Sequence, residues 1–329
     1  MKHSQLTSEI FKINNDKQFN DLAIKIFNFQ WKNVNIYQQF CQALKVEPAK
    51  IKHYSQIPFL PIEFFKSHKV IPDNFNSQLI FTSSGTSSVQ NSKHFVHDLS
   101  IYELSFRKTF HRFFGAPNQY AIFALLPSYL ERTGSSLIYM CEKLIDDSEN
   151  DLSGFYLFNF EELIESIEKA KAKKKKIFFI GVTFALLELA EKHKVDLSET
   201  IILETGGMKG RRKEMVREEL HEILQNSFSV KNIFSEYGMT ELLSQAYFTE
   251  KKYFECPPWM KVLMRDTEDP LSFIEFGKTG GINVIDLANI YSCSFIATQD
   301  LGKAIDEQKF EVLGRFDNSD LRGCNLLVV

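Results

Sequence analysis

Apolar residues recur at helical spacing through the first sixty positions: Ile10 and Phe11; Phe19, Leu22, Ala23 and Ile26; Tyr37, Phe40 and Leu44. That period predicts two or three helices ending near Pro58 and Pro61, because proline lacks the amide donor a continuing helix needs. The period then shortens. An apolar run over 78–81 reads as a strand that breaks into a small, hydroxylated stretch, Thr82-Ser83-Ser84-Gly85-Thr86-Ser87-Ser88. Helices are predicted over 98–114, 161–173 and 184–193, with strands over 120–125, leading to Pro127, and 177–182. Strand and helix alternate there as in a mostly parallel sheet covered by helices. A strand over 201–203 reaches Thr205-Gly206-Gly207, a helix over 211–224 follows, and a strand over 232–234 enters Ser235-Glu236-Tyr237-Gly238-Met239-Thr240-Glu241. Short strands over 282–287, 291–297 and 310–313 lie between turn signals. The pattern predicts an α/β fold: a helical lead-in over 1–75, an α/β core over 76–250, a β-rich subdomain of the same unit over 251–317, and a tail over 318–329. It contains no internal repeat and no long Pro/Gly/Ser linker.

Composition narrows the functions. With 329 residues, 44% of them hydrophobic, the chain can bury a large core. Its 31 phenylalanines suit a core and a greasy tunnel equally. Thirty-nine basic and 42 acidic side chains give a net charge of −3, too balanced for a protein that holds nucleic acid by neutralising phosphates. No stretch approaches the ~20 apolar residues that cross a bilayer, and the amino terminus has no apolar signal segment. Five scattered cysteines, with no C-x-x-C pair, fit a reducing compartment and predict a cytoplasmic protein.

Four short segments carry candidate chemistry. Loop 82–88 offers hydroxyls and exposed amides around a glycine, as a phosphate chain requires, although a surface turn has the same composition. In 237–241 an aromatic face, a bare backbone, a hydroxyl and a carboxylate fall within five positions. They can stack a base, bond a phosphate and hold magnesium; a buried tyrosine, a turn glycine and a helix-start Thr-Glu pair read equally well. Thr298-Gln299-Asp300-Leu301-Gly302 places a carboxylate just after an apolar strand, where it can accept ribose hydroxyls or simply end the strand in a turn. Gly314-Arg315-Phe316-Asp317 adds a cation in a hinge or turn. Lys173–Lys176 reads as a solvated helix end, and His94, His97 and His111 lack metal-ligand spacing. Residues 128–136, with Tyr129, Arg132 and Thr133, read as acyl-pocket lining or as an ordinary strand-to-helix connection.

Together, in this order, the segments resemble the motifs of the acyl-adenylate-forming (AMP-forming acyl-CoA synthetase-like) superfamily, from residue 82 to residue 324. The resemblance implies that fold's large adenylating domain with its β-rich subdomain. It also implies ATP and Mg²⁺ as cofactors. By position, Ser83, Ser84, Gly85, Thr86, Ser87 and Ser88 would grip ATP, and Gly206, Gly207, Tyr237 and Gly238 would hold adenine. Thr240 would contact the α-phosphate, Glu241 would bind Mg²⁺, and Asp300 and Arg315 would bind ribose.

Two departures refine the expectation. Ser88 stands where the phosphate loop usually has glycine, and the nearest lysine is delayed to Lys93. Only twelve residues follow Asp317, so the usual carboxyl-terminal lid is expected to be absent. With the sequences 126–132 and 283–289, this resembles the acyl-protein synthetase (LuxE) family. That family implies activation of a fatty acid and transfer of its acyl group to a cysteine near the carboxyl terminus, here Cys324. Arg322 beside it would lower the thiol's pKa, whereas an inert buried cysteine is the alternative. An acyl-acceptor protein such as an acyl reductase would then take the group. The rival readings are a lid-less phenylacetate-type ligase serving CoA or a carrier protein, and a non-catalytic nucleotide- or acyl-binding subunit of a reductase complex.

Overall fold

In the computed structural model, residues 3–83, 91–127, 134–207 and 215–316 are described. The amino-terminal period becomes three helices, α1 (His3–Ile10), α2 (Asp16–Asn33) and α3 (Asn35–Ala43). Asn15 caps α2: its side-chain oxygen accepts the Gln18 amide proton at 2.9 Å, and Asp16 in the first turn complements the helix dipole. Phe19, Leu22, Ala23, Ile26 and Phe27 form the buried stripe. Gln30 is wholly buried on α2. Its Nε2 donates to the Asn289 and Ile290 carbonyls and to Ser294 Oγ, and its Oε1 accepts the Ser294 amide, so little is lost by its burial. The strand β1 (Leu60–Pro61) and the short helix α4 (Phe64–Ser67) close this segment.

Ser77–Glu255 form a compact unit of their own. Strands β2 (Leu79–Thr82) and β3 (Lys93–Val96) pair antiparallel as a ribbon. Helix α5 (Leu99–Phe114) is capped by Asp98, which accepts the Ser100 amide at 3.0 Å. There follow β4 (Tyr120–Leu125), α6 (Ser136–Ser148), β5 (Gly154–Tyr156), α7 (Phe160–Ala172), β6 (Lys176–Val182), α8 (Thr183–Lys192), β7 (Thr200–Thr205), α9 (Arg217–Phe228) and β8 (Ile233–Tyr237). The strands run parallel in the order β5-β4-β6-β7-β8. Strands β9 (Ala246–Phe248) and β10 (Phe254–Glu255) then extend the sheet antiparallel. Every residue of β4 is buried, as expected of a parallel strand covered on both faces. The carboxyl ends of β7 and β8 lie side by side and open into Gly206-Gly207 and Gly238–Glu241. That edge is where open parallel sheets bind ligands.

The other unit joins the residues through Asn76 with those from Cys256 onward. Strands β11 (Met260–Arg265), β12 (Thr279–Asp286), β13 (Phe295–Asp306) and β14 (Lys309–Arg315) form an antiparallel meander, and β1 pairs parallel with β13. Its core gathers Phe27, Tyr37 and Phe59 around Phe295, with ring centroids no more than 6.4 Å from that ring. Among the described residues no helix is long and apolar enough to cross a membrane.

Element bounds differ from the sequence expectation in two informative places. The helix expected over 211–224 is seen from Arg217 to Phe228, because its buried stripe is Leu220, His221, Leu224 and Phe228 while Val216 is extended; residues 208–214 lie outside the described residues. The strand expected over 291–297 starts only at Phe295, since Ser292 Oγ donates to the Val70 carbonyl and Ser294 bonds Gln30. It then continues to Asp306.

Candidate functional site

The phosphate-loop candidate is held at its base by the β2–β3 ribbon. The Ser83 amide donates to the Ser92 carbonyl at 3.1 Å and the Ser92 amide donates to Ser83 Oγ at 2.9 Å. Ser84, Gly85, Thr86, Ser87 and Ser88 lie outside the described residues. Lys93 is exposed and stands opposite Thr82 across the ribbon. One residue on, buried His94 places Nδ1 2.8 Å from the Thr240 carbonyl oxygen. A carbonyl only accepts, so Nδ1 carries the proton. This hydrogen bond ties the strand leaving the phosphate loop to the turn that carries Thr240 and Glu241.

At the end of β7, Gly206 and Gly207 take φ of +78° and +64° in succession, a left-handed conformation that side chains disfavour. Both are exposed, and a Cβ on Gly207 would meet no atom of the described residues within 4 Å. The backbone conformation, not crowding, calls for glycine there, and it leaves a bare peptide surface. At the end of β8, Tyr237 is buried, its ring centroid 5.8 Å from that of Phe254. Gly238 is exposed beside it and Thr240 half-buried, while Glu241 is only 5% exposed. Gly206 and Gly207 follow β7 and Tyr237, Gly238, Thr240 and Glu241 close or follow the neighbouring β8, while the ribbon that carries Ser83 is joined to the Thr240 turn through His94.

Asp300 and Arg315 meet in the other unit. They are register partners on β13 and β14, with Arg315 Nε 3.5 Å from Asp300 Oδ1. The Asp300 amide bonds Thr298 Oγ1 at 3.1 Å, and that hydroxyl donates to the Ile282 carbonyl at 2.8 Å. Beneath them, buried Arg265 donates to the Ile282 carbonyl, to Asn283 Oδ1 and to the Thr298 carbonyl, with its guanidinium 5.2 Å from the centre of the Phe316 ring. Gly281 makes room for it: a Cβ there would fall 2.4 Å from the guanidinium carbon. Cys324 lies outside the described residues.

Two further carboxylates, Glu204 buried and Glu236 half-buried, stand near the ends of β7 and β8. Glu204 is 8% exposed on β7, and its Oε2 accepts the Thr183 hydroxyl at 2.8 Å. Glu236, one residue before Tyr237, accepts the Thr205 hydroxyl at 2.7 Å. Burial pushes the Glu236 carboxyl up to about 7; the Thr205 hydrogen bond opposes that shift and the charge of Glu204 adds to it. The only sequence signal was position, an acidic residue at the end of each of two apolar strands.

No family model and no curated protein matches the sequence. Solved structures do match. An open conformation of 2-hydroxyisobutyryl-CoA ligase, in complex with 2-HIB-AMP and CoA, superposes with a TM-score of 0.69 at 11% identity, covering 92% of this chain and 70% of that one. The chain has the adenylating-domain fold of acyl-CoA synthetase-like ligases. ATP-bound MatB from Rhodopseudomonas palustris matches with a TM-score of 0.55 at 16% identity over 74% of this chain, and the chain spans about half of MatB's length (49%). The α/β expectation with its β-rich part is therefore met at the level of fold.

The donor set fits the groups such a fold implies. Magnesium is commonly held by one or two carboxylates, the rest of its shell being phosphate oxygen and water. Glu241 would supply one carboxylate, and among the described residues no three His, Cys, Asp or Glu side chains cluster as a protein-only metal site. For a nucleotide, the open space over Gly207 is a surface against which a flat base can lie.

Proposed function

We propose that this protein is an ATP-dependent ligase that activates a carboxylic acid as acyl-AMP. The observation carrying the reading is the pairing of two glycine-bearing strand ends, Gly206-Gly207 after β7 and Tyr237-Gly238 after β8, on neighbouring parallel strands. They occur in a fold shared with a ligase crystallised with its acyl-AMP. A substrate carboxylate oxygen attacks the α-phosphorus; the new P–O bond forms, the bond to the bridging oxygen breaks, and pyrophosphate leaves with that electron pair. No proton moves, so positioning and charge neutralisation matter more than an acid or a base. Loop 83–88 grips the phosphates, with Lys93 as its nearest lysine. Gly206, Gly207 and the Tyr237 ring wall the adenine, and the Thr240 hydroxyl donates to the α-phosphate. Asp300 accepts ribose hydroxyls and Arg315 contacts the same sugar. Mg²⁺ held by Glu241 would neutralise phosphate charge when bound.

In the second step the Cys324 thiolate attacks the acyl carbonyl carbon, a thioester forms and AMP departs with the broken C–O bond. A protein acceptor such as an acyl reductase then takes the acyl group. Fatty acids are the class implied by the sequence resemblance. Cys41, Cys141 and Cys293 are free thiols and, like Cys256, are buried, which suits work in the cytoplasm. A second reading, transfer to CoA, is favoured by the CoA bound in the similar ligase.

Exchange of labelled pyrophosphate into ATP, acid by acid, tests the first step. Labelled acid followed by denaturing electrophoresis tests the second: Cys324→Ala keeps exchange and loses the covalent label. CoA that speeds AMP release without labelling the protein replaces the cysteine step. Tight ATP binding with no exchange on any acid leaves a nucleotide- or acyl-binding subunit instead.

A further inference from the structure

The half-buried acid Glu236 is not accounted for by adenylation. It is the register partner of Tyr247 across β8 and β9, so the two side chains share one face of the sheet. Thr205 joins that face through its hydroxyl, which donates to Glu236 Oε2. The other carboxylate oxygen faces the strand end: a Cβ on exposed Gly238 would lie 2.8 Å from Glu236 Oε1 and 3.4 Å from Gln245 Cγ. Two neighbouring polar atoms, Tyr247 Oη and Gln245 Oε1, are buried with no hydrogen-bond partner among the described residues. Tyr247 is 0% exposed and Gln245 3%. Tyr102 on α5 and Cys141 on α6, both buried, lie within electrostatic reach of the Glu236 carboxylate. Buried donors and acceptors left unsatisfied are costly, and a cluster of them beside a carboxylate is the signature of a site completed by a ligand.

We infer that Glu236, Tyr247 and Gln245 form a polar floor for the acid substrate, and that the acid activated carries a hydroxyl or amino group that donates a hydrogen bond to Glu236. This rests on the adenylation reading and departs from an unsubstituted fatty chain. A plain alkyl end would leave the buried Tyr247 Oη and Gln245 Oε1 without a partner and add nothing to the Thr205 hydrogen bond on Glu236. A pocket built to hydrogen-bond its substrate rejects the analogue lacking that group strongly. Tyr247 can accept from or donate to the same substituent, and Gln245 Oε1 adds an acceptor.

The test is calorimetric binding and pyrophosphate exchange with matched acids: straight-chain C4 to C12 acids, each plain, hydroxylated and aminated, together with benzoate and its 4-hydroxy and 4-amino forms. At least one substituted acid is expected to bind ten-fold or more tighter than its plain counterpart and to give a correspondingly higher kcat/KM. Hydroxylated and aminated members separate neutral donor recognition from charge pairing. Glu236→Gln, which keeps the shape, should bring the preference to within about three-fold. Tyr247→Phe, which removes only the hydroxyl, should weaken it by a smaller factor, and melting curves confirm that each variant is folded. Plain acids bound as well as substituted ones, or a preference that survives Glu236→Gln, overturns the inference while exchange keeps the ligase reading standing. Selective binding without exchange overturns the ligase reading and leaves the polar floor. Binding of no acid overturns both.

Discussion

The Glu236 corner at the end of β8 and the Asp300–Arg315 pair on β13 and β14 are both built around a carboxylate, yet their environments differ. Glu236 is half-buried with Thr205 as its donor, and desolvation shifts it toward the protonated form. Arg315 is 73% exposed, and its 3.5 Å contact with Asp300 lies open to water. Solvent screens the second pair and removes most of its energy, whereas burial makes the state of the first consequential. The rigid part of the second region lies one layer down, in Arg265. A ligand group placed in water is held by the fold without holding the fold, whereas a group placed inside does both.

Four substitutions sharpen this contrast. Arg265→Ala should be the most damaging, lowering unfolding free energy by roughly 3–5 kcal/mol in denaturant titrations, because it takes the guanidinium donors from Asn283 Oδ1 and the Thr298 carbonyl and leaves the Ile282 carbonyl with the Thr298 hydroxyl alone. A loss below 1 kcal/mol would place the rigidity elsewhere. Glu236→Gln should act in the opposite direction and only at higher pH. The folded state keeps a proton up to about pH 7 that the unfolded chain gives up near the ordinary glutamate value. Wild-type stability therefore falls as pH rises between those limits, by roughly 3 kcal/mol in all. The variant should lack that slope and exceed wild type at pH 8; parallel profiles across pH 4–8 would contradict the burial argument. Gly207→Ala should cost about 1 kcal/mol through its left-handed backbone, with no steric term, since the space around it is open. Smallest of all, Arg315→Ala should change stability by less than ~0.5 kcal/mol. If Arg315 contacts ribose, the same variant weakens ATP binding while its melting curve stays in place.

The parallel strands were legible because each is an apolar run bounded by turn residues, as in 120–125 and 177–182, and burial on both faces requires such runs. The glycine pair and Tyr237-Gly238 were legible as bare backbone at strand ends. The strand expected to end at 297 runs on through Thr298–Gly302, prolonged by pairing with β14 and by Arg265, a residue thirty-three positions before Thr298. Helix α6 was not anticipated, although Ser135 caps it by accepting the Ile138 amide. His94 bonding Thr240 links residues 146 positions apart, which no local pattern encodes.

By itself the sequence determined which segments are helix or strand and which turns carry hydroxyls, glycines and carboxylates, because these depend on neighbours a few residues away. The tertiary structure alone decided that the amino-terminal helices share a unit with the closing strands, and that Glu236 pairs in register with Tyr247 while Tyr247 and Gln245 are buried. Burial, desolvation and unmet hydrogen bonds are properties of what surrounds a residue in space, and only the folded chain supplies those surroundings.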